Sequence, residues 1–511
     1  MENVQSTVRC DVKALRDTFR SGCTLSLKSR RSNLLDFQTL LYEGSSLLCE
    51  ALWKDLHKCH VEAMGSEISL IQNEVQHHLD YLNEWNSPVS VGTDLLNVPG
   101  SSTLVTDPYG VVCIFGAWNY PCLLSLLPLV GALSAGNVVY IRLPTYSTES
   151  SIVMATLLTK YMNTNIVKVI LGDQEVTHAV LLEKFDKIFF TGGTYVGKMV
   201  ARSAAEHLCP IVLELGGKSP CVVDSSADII IAARRITWGS YMNAGQTCVR
   251  PDYILVHNSI AEAFIAQVKM CIENMFPNPE ESLFYGRIIN ARAHARLVGL
   301  LENNVEYIIH GGTYNEKVKF IAPTIMDFKN DTKAFMTSSV MSQEIFGPIM
   351  PIFCYENITD VIEMITTRPK PLAMYIFTTN SHFHTTLIKK TSSGAVVVND
   401  VMVHMTNANL PFGGVGASGM GNYHGKFSFD TFSHTKAILY KSNYFDLPQR
   451  YPPYSYMDAL ILSIVLTPRP KRKVRVFQSI LLMMSLVFLC KKVPWSSFKG
   501  TLLKLSMRFF M

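Results

Sequence analysis

The 511-residue chain is defined first by what it lacks. It has 12 cysteines but no CxxC pair, and its 14 histidines form no HExxH. A zinc site and a secreted disulfide framework are both disfavoured, and a reducing compartment fits. The opening MENVQSTVRCDVKALRDTF has charges throughout and no apolar core of signal-peptide length, so no secretory signal is visible. The terminal FFM is neither a peroxisomal address nor a prenylation box. There is no internal repeat and no low-complexity block. What is present is apolar: 48% of the residues, enough for large cores and two to four domains.

The net charge of +5 is unevenly spread. Residues 441–511 carry 12 Lys/Arg against Asp446 and Asp458, a net of +10, which leaves −5 for the rest. The basic excess belongs to one tail and says nothing about a nucleic-acid surface on the body, so no nucleic-acid partner is expected. It points to an acidic partner for the tail, most often a membrane face.

Residues 35–85 carry apolar positions at helical spacing, and from 86 the pattern breaks at Pro88, Gly92, Pro99 and Gly100 into a loop or excursion. From 111 short apolar runs alternate with helical stretches: VVCIF (111–115), NVVYI (137–141), VKVILG (167–172) and KIFFTG (187–192). A second series is expected to open at PIVLEL (210–215). It continues through CVVD (221–224), YILVH (253–257), IMPIFCY (349–355), AMYIFTT (373–379) and GAVVVND (394–400). Such alternation predicts an α/β fold with parallel sheets that bind ligands at the carboxyl ends of their strands.

Several segments could carry chemistry, and each has a plainer reading. GGTYVGK (192–198) follows a strand, so its backbone amides could approach a phosphate; it could also be an ordinary strand–helix turn. Glu214 in LELGGKSP lies between leucines, where a carboxyl of raised proton affinity could serve as a base; a paired structural glutamate is the alternative. Cys248 in NAGQTCVRPDY sits in a small, polar stretch where amides can stabilise a thiolate; an inert buried cysteine is the other reading. Asn119 in FGAWNYP could donate to an oxyanion or simply cap a helix. QEIFGP (343–348) and PFGGVGASGMG (411–421) complete the set. The latter misses GxSxG because position 420 is Met, so it reads as a multi-turn loop.

Taken in order, AWNYP, FTGGTYVGK, LELGGKSP, NAGQTC, QEIFGP and PFGGVGASGMG resemble the aldehyde dehydrogenase superfamily from about residue 8 to about residue 440. WNYP, the short N-terminus and GMGNYHGKFSFDTFSH look most like its class 3 branch, which includes fatty aldehyde dehydrogenase. The resemblance implies oxidation of aldehydes to carboxylic acids with NAD or NADP. Cys248 would be the nucleophile, Glu214 the general base and Asn119 the oxyanion donor. Gly192, Thr194 and Gly197 would belong to the cofactor loop, Glu344 would hold the nicotinamide ribose, and Phe346 would lie beside the ring. Where the family reads VVIKPSE, this chain reads VVYIRLPTY, putting Arg142 and Thr145 at the positions that hold the adenosine ribose. The choice between NAD and NADP is therefore open. No metal is implied.

The expected architecture is two Rossmann-like parallel-sheet domains: a cofactor domain (1–85 and 109–212) and a catalytic domain (213–400). A small bridging or oligomerisation segment (86–108 and 401–440) joins them, and 441–511 forms a linker and membrane tail. The apolar run Val476–Cys490 would be about 22 Å long as a helix, against a hydrocarbon core of about 30 Å. Its flanking lysines could snorkel, so it either spans or lies in the interface. Trp495, Phe498, Leu502, Leu505 and Phe509 among Lys499, Lys504 and Arg508 suit an interfacial helix. The expectation is a homodimeric enzyme for medium- to long-chain fatty aldehydes. It would be held on an intracellular membrane such as the endoplasmic reticulum, its catalytic body facing the cytoplasm. Two other readings are an acylating dehydrogenase that uses coenzyme A and a catalytically decayed membrane-associated binding protein.

Overall fold

The computed structural model describes residues 2–444, 446 and 448–466. Two compact units emerge among the described residues: residues 2–87 with 106–435, and residues 88–105 with the described residues from 436 to 466.

The larger unit contains two sheets. The first has six strands in the order Gly419–Met420, Ile211–Glu214, Lys187–Thr191, Val111–Phe115, Val138–Arg142 and Val167–Ile170. All neighbours run parallel except Gly419–Met420, which pairs antiparallel with Ile211–Glu214. Strands 111–115 and 138–142 are buried nearly throughout, as a sheet covered on both faces requires. The chain runs outward from Val111–Phe115 through two strands, then returns to its other side with Lys187–Thr191. That reversal leaves a crevice at the carboxyl ends of these two strands.

The strand Ile211–Glu214 corrects one expectation. It does not open the second series but pairs with Lys187–Thr191 in the first sheet. The apolar run 210–215 reads equally well in either sheet; only its partner decides.

The second sheet has seven strands: Ile308–His310, Thr324–Asp327, Ile349–Tyr355, Tyr253–His257, Pro220–Val223, Ala373–Phe377 and Ala395–Val398. All but the first pair are parallel. In the N-terminal region the helices Leu27–Leu56 and Ser69–Trp85 follow the apolar spacing. Ser26 caps the first by accepting from the Ser29 amide, and His57, in the left-handed region at φ 57°, ends it. The helix Pro121–Ala135 is buried along all of its length, with Pro121 in its first turn, where no amide partner is needed.

In the smaller unit, residues 88–105 supply the strand Val89–Val91 and most of Gly100–Pro108, which form a three-stranded sheet with Ser433–Lys441. ALILSIVL lies in the helix Tyr456–Leu466. Among the described residues no helix is long and apolar enough to cross a membrane. The run Val476–Cys490 and the segment after it lie outside the described residues.

Candidate active site

The crevice opens into a cavity of about 880 Å³ within the larger unit. The first sheet contributes the carboxyl ends of its strands. The second sheet contributes loops ahead of its strands, at their amino ends, because Cys248, Glu344 and Leu372 precede Tyr253–His257, Ile349–Tyr355 and Ala373–Phe377. Asn119, Glu214, Cys248, Glu344, Phe346 and Arg142 all line this one cavity.

Cys248 follows three consecutive residues with left-handed backbone: Asn243 (φ 55°), Ala244 (φ 49°) and Gly245 (φ 71°). Two of these are not glycine, so the conformation must be held from outside. Asn243 supplies much of that hold. Its Nδ2 donates to the carbonyls of Asn119 (2.8 Å) and Gln246 (3.2 Å), and its amide donates to Glu62 Oε1 (3.0 Å). Gln246 Nε2 donates to the Arg287 carbonyl at 2.9 Å, and the Tyr120 and Thr247 hydroxyls meet at 2.7 Å. Gly245 cannot be larger, since a Cβ there would fall 2.3 Å from the Gly347 carbonyl oxygen.

Asn119 sits just ahead of the helix Pro121–Ala135 and is buried. Its Nδ2 donates to the Gln246 carbonyl at 3.1 Å, leaving the second amide hydrogen free for a ligand. Its carbonyl accepts from Lys58 Nζ at 2.9 Å. Lys58 is itself fully buried, 2.7 Å from Glu67 Oε1 and 3.7 Å above the Tyr120 ring. Glu67 Oε2 accepts the amides of Cys122 and Leu123, satisfying donors that the helix start leaves open.

Burial raises the proton affinity of the Cys248 thiol, and the carboxylates of Glu344 and Glu214 raise it further. The amides of Cys248 and Val249 oppose this only in part. Glu214, at the end of its strand, is 3% exposed, and neither carboxylate oxygen has a hydrogen-bond partner. Burial alone pushes its pKa well above the usual carboxylate range. An unpartnered, buried carboxyl group is costly, which sets Glu214 apart from a structural carboxylate with its partners in place. Glu344 is pushed up to about 8 by burial and by Asp252, against the Gly217 amide, Lys218 and Arg250. Its Oε1 is buried without a partner. Gly216 is small because a Cβ there would lie 2.1 Å from Glu344 Oε2.

The dinucleotide half of the cavity follows the same logic. Gly193 caps the helix Thr194–Glu206 without any side-chain bond, so the helix N-terminus is open to an anion. Gly192 and Gly193 line the cavity, and Thr194 is the first residue of the helix. Gly197 does a different job: a Cβ there would come 2.7 Å from Leu215 Cδ2, so it lets helix and strand pack closely. Arg142 donates to the Thr145 hydroxyl at 2.6 Å and to the Gly172 carbonyl at 3.0 Å, and its Nε is buried without a partner. Phe346, at φ 50°, meets Trp118 edge-on at 5.4 Å. A switch-point crevice, an open helix N-terminus and orphaned polar atoms at Arg142 and Glu344 together suit a dinucleotide. Among the described residues no cluster of His, Cys, Asp and Glu could hold a metal.

Residues 3–438 match the model of the aldehyde dehydrogenase family. The chain belongs to that family. It is 42% identical to the rat (Rattus norvegicus) dimeric NADP-preferring aldehyde dehydrogenase over 451 residues, 88% of this chain and 98% of that enzyme. It is likewise 42% identical to rat aldehyde dehydrogenase family 3 member A2 over 447 residues, 87% of this chain and 91% of the relative. Among solved structures, the substrate-bound Staphylococcus aureus AldH superposes with a TM-score of 0.86 at 36% identity, covering 89% of this chain and 99% of that one. This aldehyde dehydrogenase is thus an oxidoreductase of the family 3 type, acting on aldehydes.

The supporting network of the aldehyde dehydrogenase site was not evident in its sequence. Lys58 and Glu67 lie in a helical region with no local signal, and only the fold brings them under Asn119. Asn243 and Gln246 stand inside NAGQTC, where attention falls on the thiol. Trp118 stands inside AWNYP, with nothing to mark it as the partner of Phe346.

Proposed function

We propose that Cys248 is the nucleophile of an aldehyde oxidation that ends in a free carboxylic acid, with Glu214 as the base. The observation that carries this reading is the buried Glu214 carboxyl without a partner, sharing one cavity with Cys248. Glu214 accepts the thiol proton and passes it to solvent, and the thiolate adds to the aldehyde carbonyl. The resulting alkoxide is held by the free Asn119 amide hydrogen and the Cys248 backbone N–H. Losing one such donor typically costs roughly 3–4 kcal/mol of barrier. When bound, the nicotinamide supplies the acceptor for the hydride that leaves the thiohemiacetal carbon. The remaining thioester is attacked by water, whose proton passes to Glu214. The acid departs, and Glu214 hands the water's proton to the leaving thiolate, which restores the thiol.

Glu344 would hold the nicotinamide ribose, with Phe346 against the ring. Gly192, Thr194 and the open helix end would hold phosphate, Gly197 would let that helix sit close, and Arg142 would take the adenosine ribose. We assign the six-stranded sheet to the cofactor half and the seven-stranded sheet to the catalytic half. With Thr145 where a carboxylate would repel a 2′-phosphate, both NAD and NADP are taken as cofactors. Leu124, Leu372 and Phe412 among the cavity walls suit apolar, medium- to long-chain aldehydes. The basic, apolar chain after 441 supports attachment to an intracellular membrane, with the catalytic body in the cytoplasm. The rat relative named dimeric supports a homodimer.

The test is to stall the reaction with substrate and seek a covalent adduct on Cys248 by mass spectrometry. Its absence, or oxidation retained in Cys248→Ala, rejects the mechanism. A base at 214 favours water over coenzyme A as acyl acceptor. Release of acyl-coenzyme A instead of free acid would reverse that assignment.

A further inference from the structure

We propose that Arg250 is a positioning residue for the oxidation: it ties the loop carrying Cys248 to the loop carrying Glu344 and Phe346. The inference rests on the site reading given above.

Arg250 lies two residues beyond the thiol and is 1% exposed. Among the described residues no carboxylate stands within ion-pair distance of it, so its charge is buried without a contact partner, and Asp252 and Glu344 favour it only from farther away. Such burial is costly unless every donor finds an acceptor. Three backbone carbonyls meet that need in part, one on each nitrogen, and take three of its five N–H donors. Nε donates to Pro251 at 3.0 Å, Nη1 donates to Gly347, and Nη2 donates to Ile349 at 2.7 Å. Two of these carbonyls flank Pro348, just after Phe346. From the same stretch as Arg250, Asp252 Oδ1 accepts the Ile345 amide at 2.9 Å. The segment 345–349 is therefore gripped at both ends by the residues that directly follow the nucleophile.

The grip is needed because the held segment does not hold itself. Phe346 has left-handed backbone, which a bulky residue adopts only under constraint. Glu344 has one buried oxygen with no partner, so that oxygen gives its carboxylate no anchor of its own. The distance from the Cys248 sulfur to whatever Glu344 and Phe346 seat is then set by backbone positions, which Arg250 fixes together with Arg296, a donor to the Ile345 carbonyl, and the Thr324 amide, a donor to the Pro348 carbonyl at 2.9 Å. A plain stabilising role would make the same hydrogen bonds, so the two must be separated by function.

The experiment uses full-length Arg250→Met, which keeps bulk without donors, and Arg250→Lys, which keeps the charge but not the fork. Three quantities are compared with the parent. The first is kcat for aldehyde oxidation. The second is hydrolysis of an aryl acetate ester without cofactor, which needs Cys248 and Asn119 but not segment 344–349. The third is amide hydrogen exchange of residues 343–349 in the cofactor-free protein. Misplacement of about 1 Å can cost 10²-fold, so oxidation is expected to fall at least about tenfold while ester hydrolysis stays within about twofold. Exchange in 343–349 should accelerate, and Arg250→Lys should fall between Met and parent. Parental oxidation in either folded variant, unaltered exchange, or a parallel loss of both activities overturns the proposal. If Arg250→Met does not fold, Arg250→Lys carries the same comparison. Ester hydrolysis by the parent that survives Cys248→Ala would instead reject the site reading.

Discussion

Replacing Lys58 by Met removes the cation from a fully buried pair and leaves the Glu67 carboxylate 0% exposed without its partner. Breaking such a pair from one side typically costs about 3–5 kcal/mol, because the remaining charge is uncompensated. Here Glu67 keeps two amide donors, those of Cys122 and Leu123, which places the expected loss near the lower end, at about 3 kcal/mol. Asn119 loses one of the two donors to its carbonyl, and Tyr120 loses the ammonium over its ring. The stability assay is denaturant unfolding followed by a probe of the larger unit. The double variant Lys58→Met/Glu67→Gln should recover part of the loss, since no charge is then buried. The catalytic assay is ester hydrolysis without cofactor. It should fall about tenfold or more in Lys58→Met, because the Asn119 donor is aimed through its own backbone. Unfolding within 1 kcal/mol of the parent, or a double variant less stable than Lys58→Met, would refute the reasoning. Either result would show that the ammonium of Lys58 is not what balances Glu67.

Glu214→Gln should lower the rate of acid formation by about 10²–10⁴-fold. Its raised pKa keeps the parent carboxyl protonated in acid, so the base appears, and the rate climbs, as pH rises through its folded value. That rising limb should vanish from the pH–rate profile of Glu214→Gln; an unchanged limb would assign it to the Cys248 thiol instead. Thr145→Glu restores a carboxylate beside Arg142 and should shift the kcat/KM ratio from NADP towards NAD by about tenfold or more, since one lost favourable contact of 1.4 kcal/mol is tenfold. An unchanged ratio would mean that the 2′-position lies elsewhere. Deleting 447–511 should release the enzyme from membranes; a truncated protein that still pellets after a salt wash would place the anchor in the body.

Much of the fold was legible because parallel strands buried on both faces read as unbroken apolar runs. Val111–Phe115, Tyr253–His257 and Ile349–Tyr355 needed no tertiary information. The run 210–215 was legible as a strand but not as a member of its sheet, since partner choice is long-range. The chemistry-bearing residues stood out for a related reason. Reactive groups occupy short, small-residue turns where backbone must approach a ligand, so their neighbours are constrained and form recognisable segments. The supports are under a looser rule. Any fold that brings a cation beneath the Asn119 carbonyl will serve, and here it comes from Lys58, 61 positions away. Arg250 was printed in NAGQTCVRPDY, yet nothing local separates a buried guanidinium from an exposed one. Its three carbonyl partners, two of them nearly a hundred residues on, are what distinguish it. An unpaired buried charge is tolerable only where backbone acceptors have been arranged around it. Such charges are therefore a means of finding, from structure, the contacts on which a site's geometry depends.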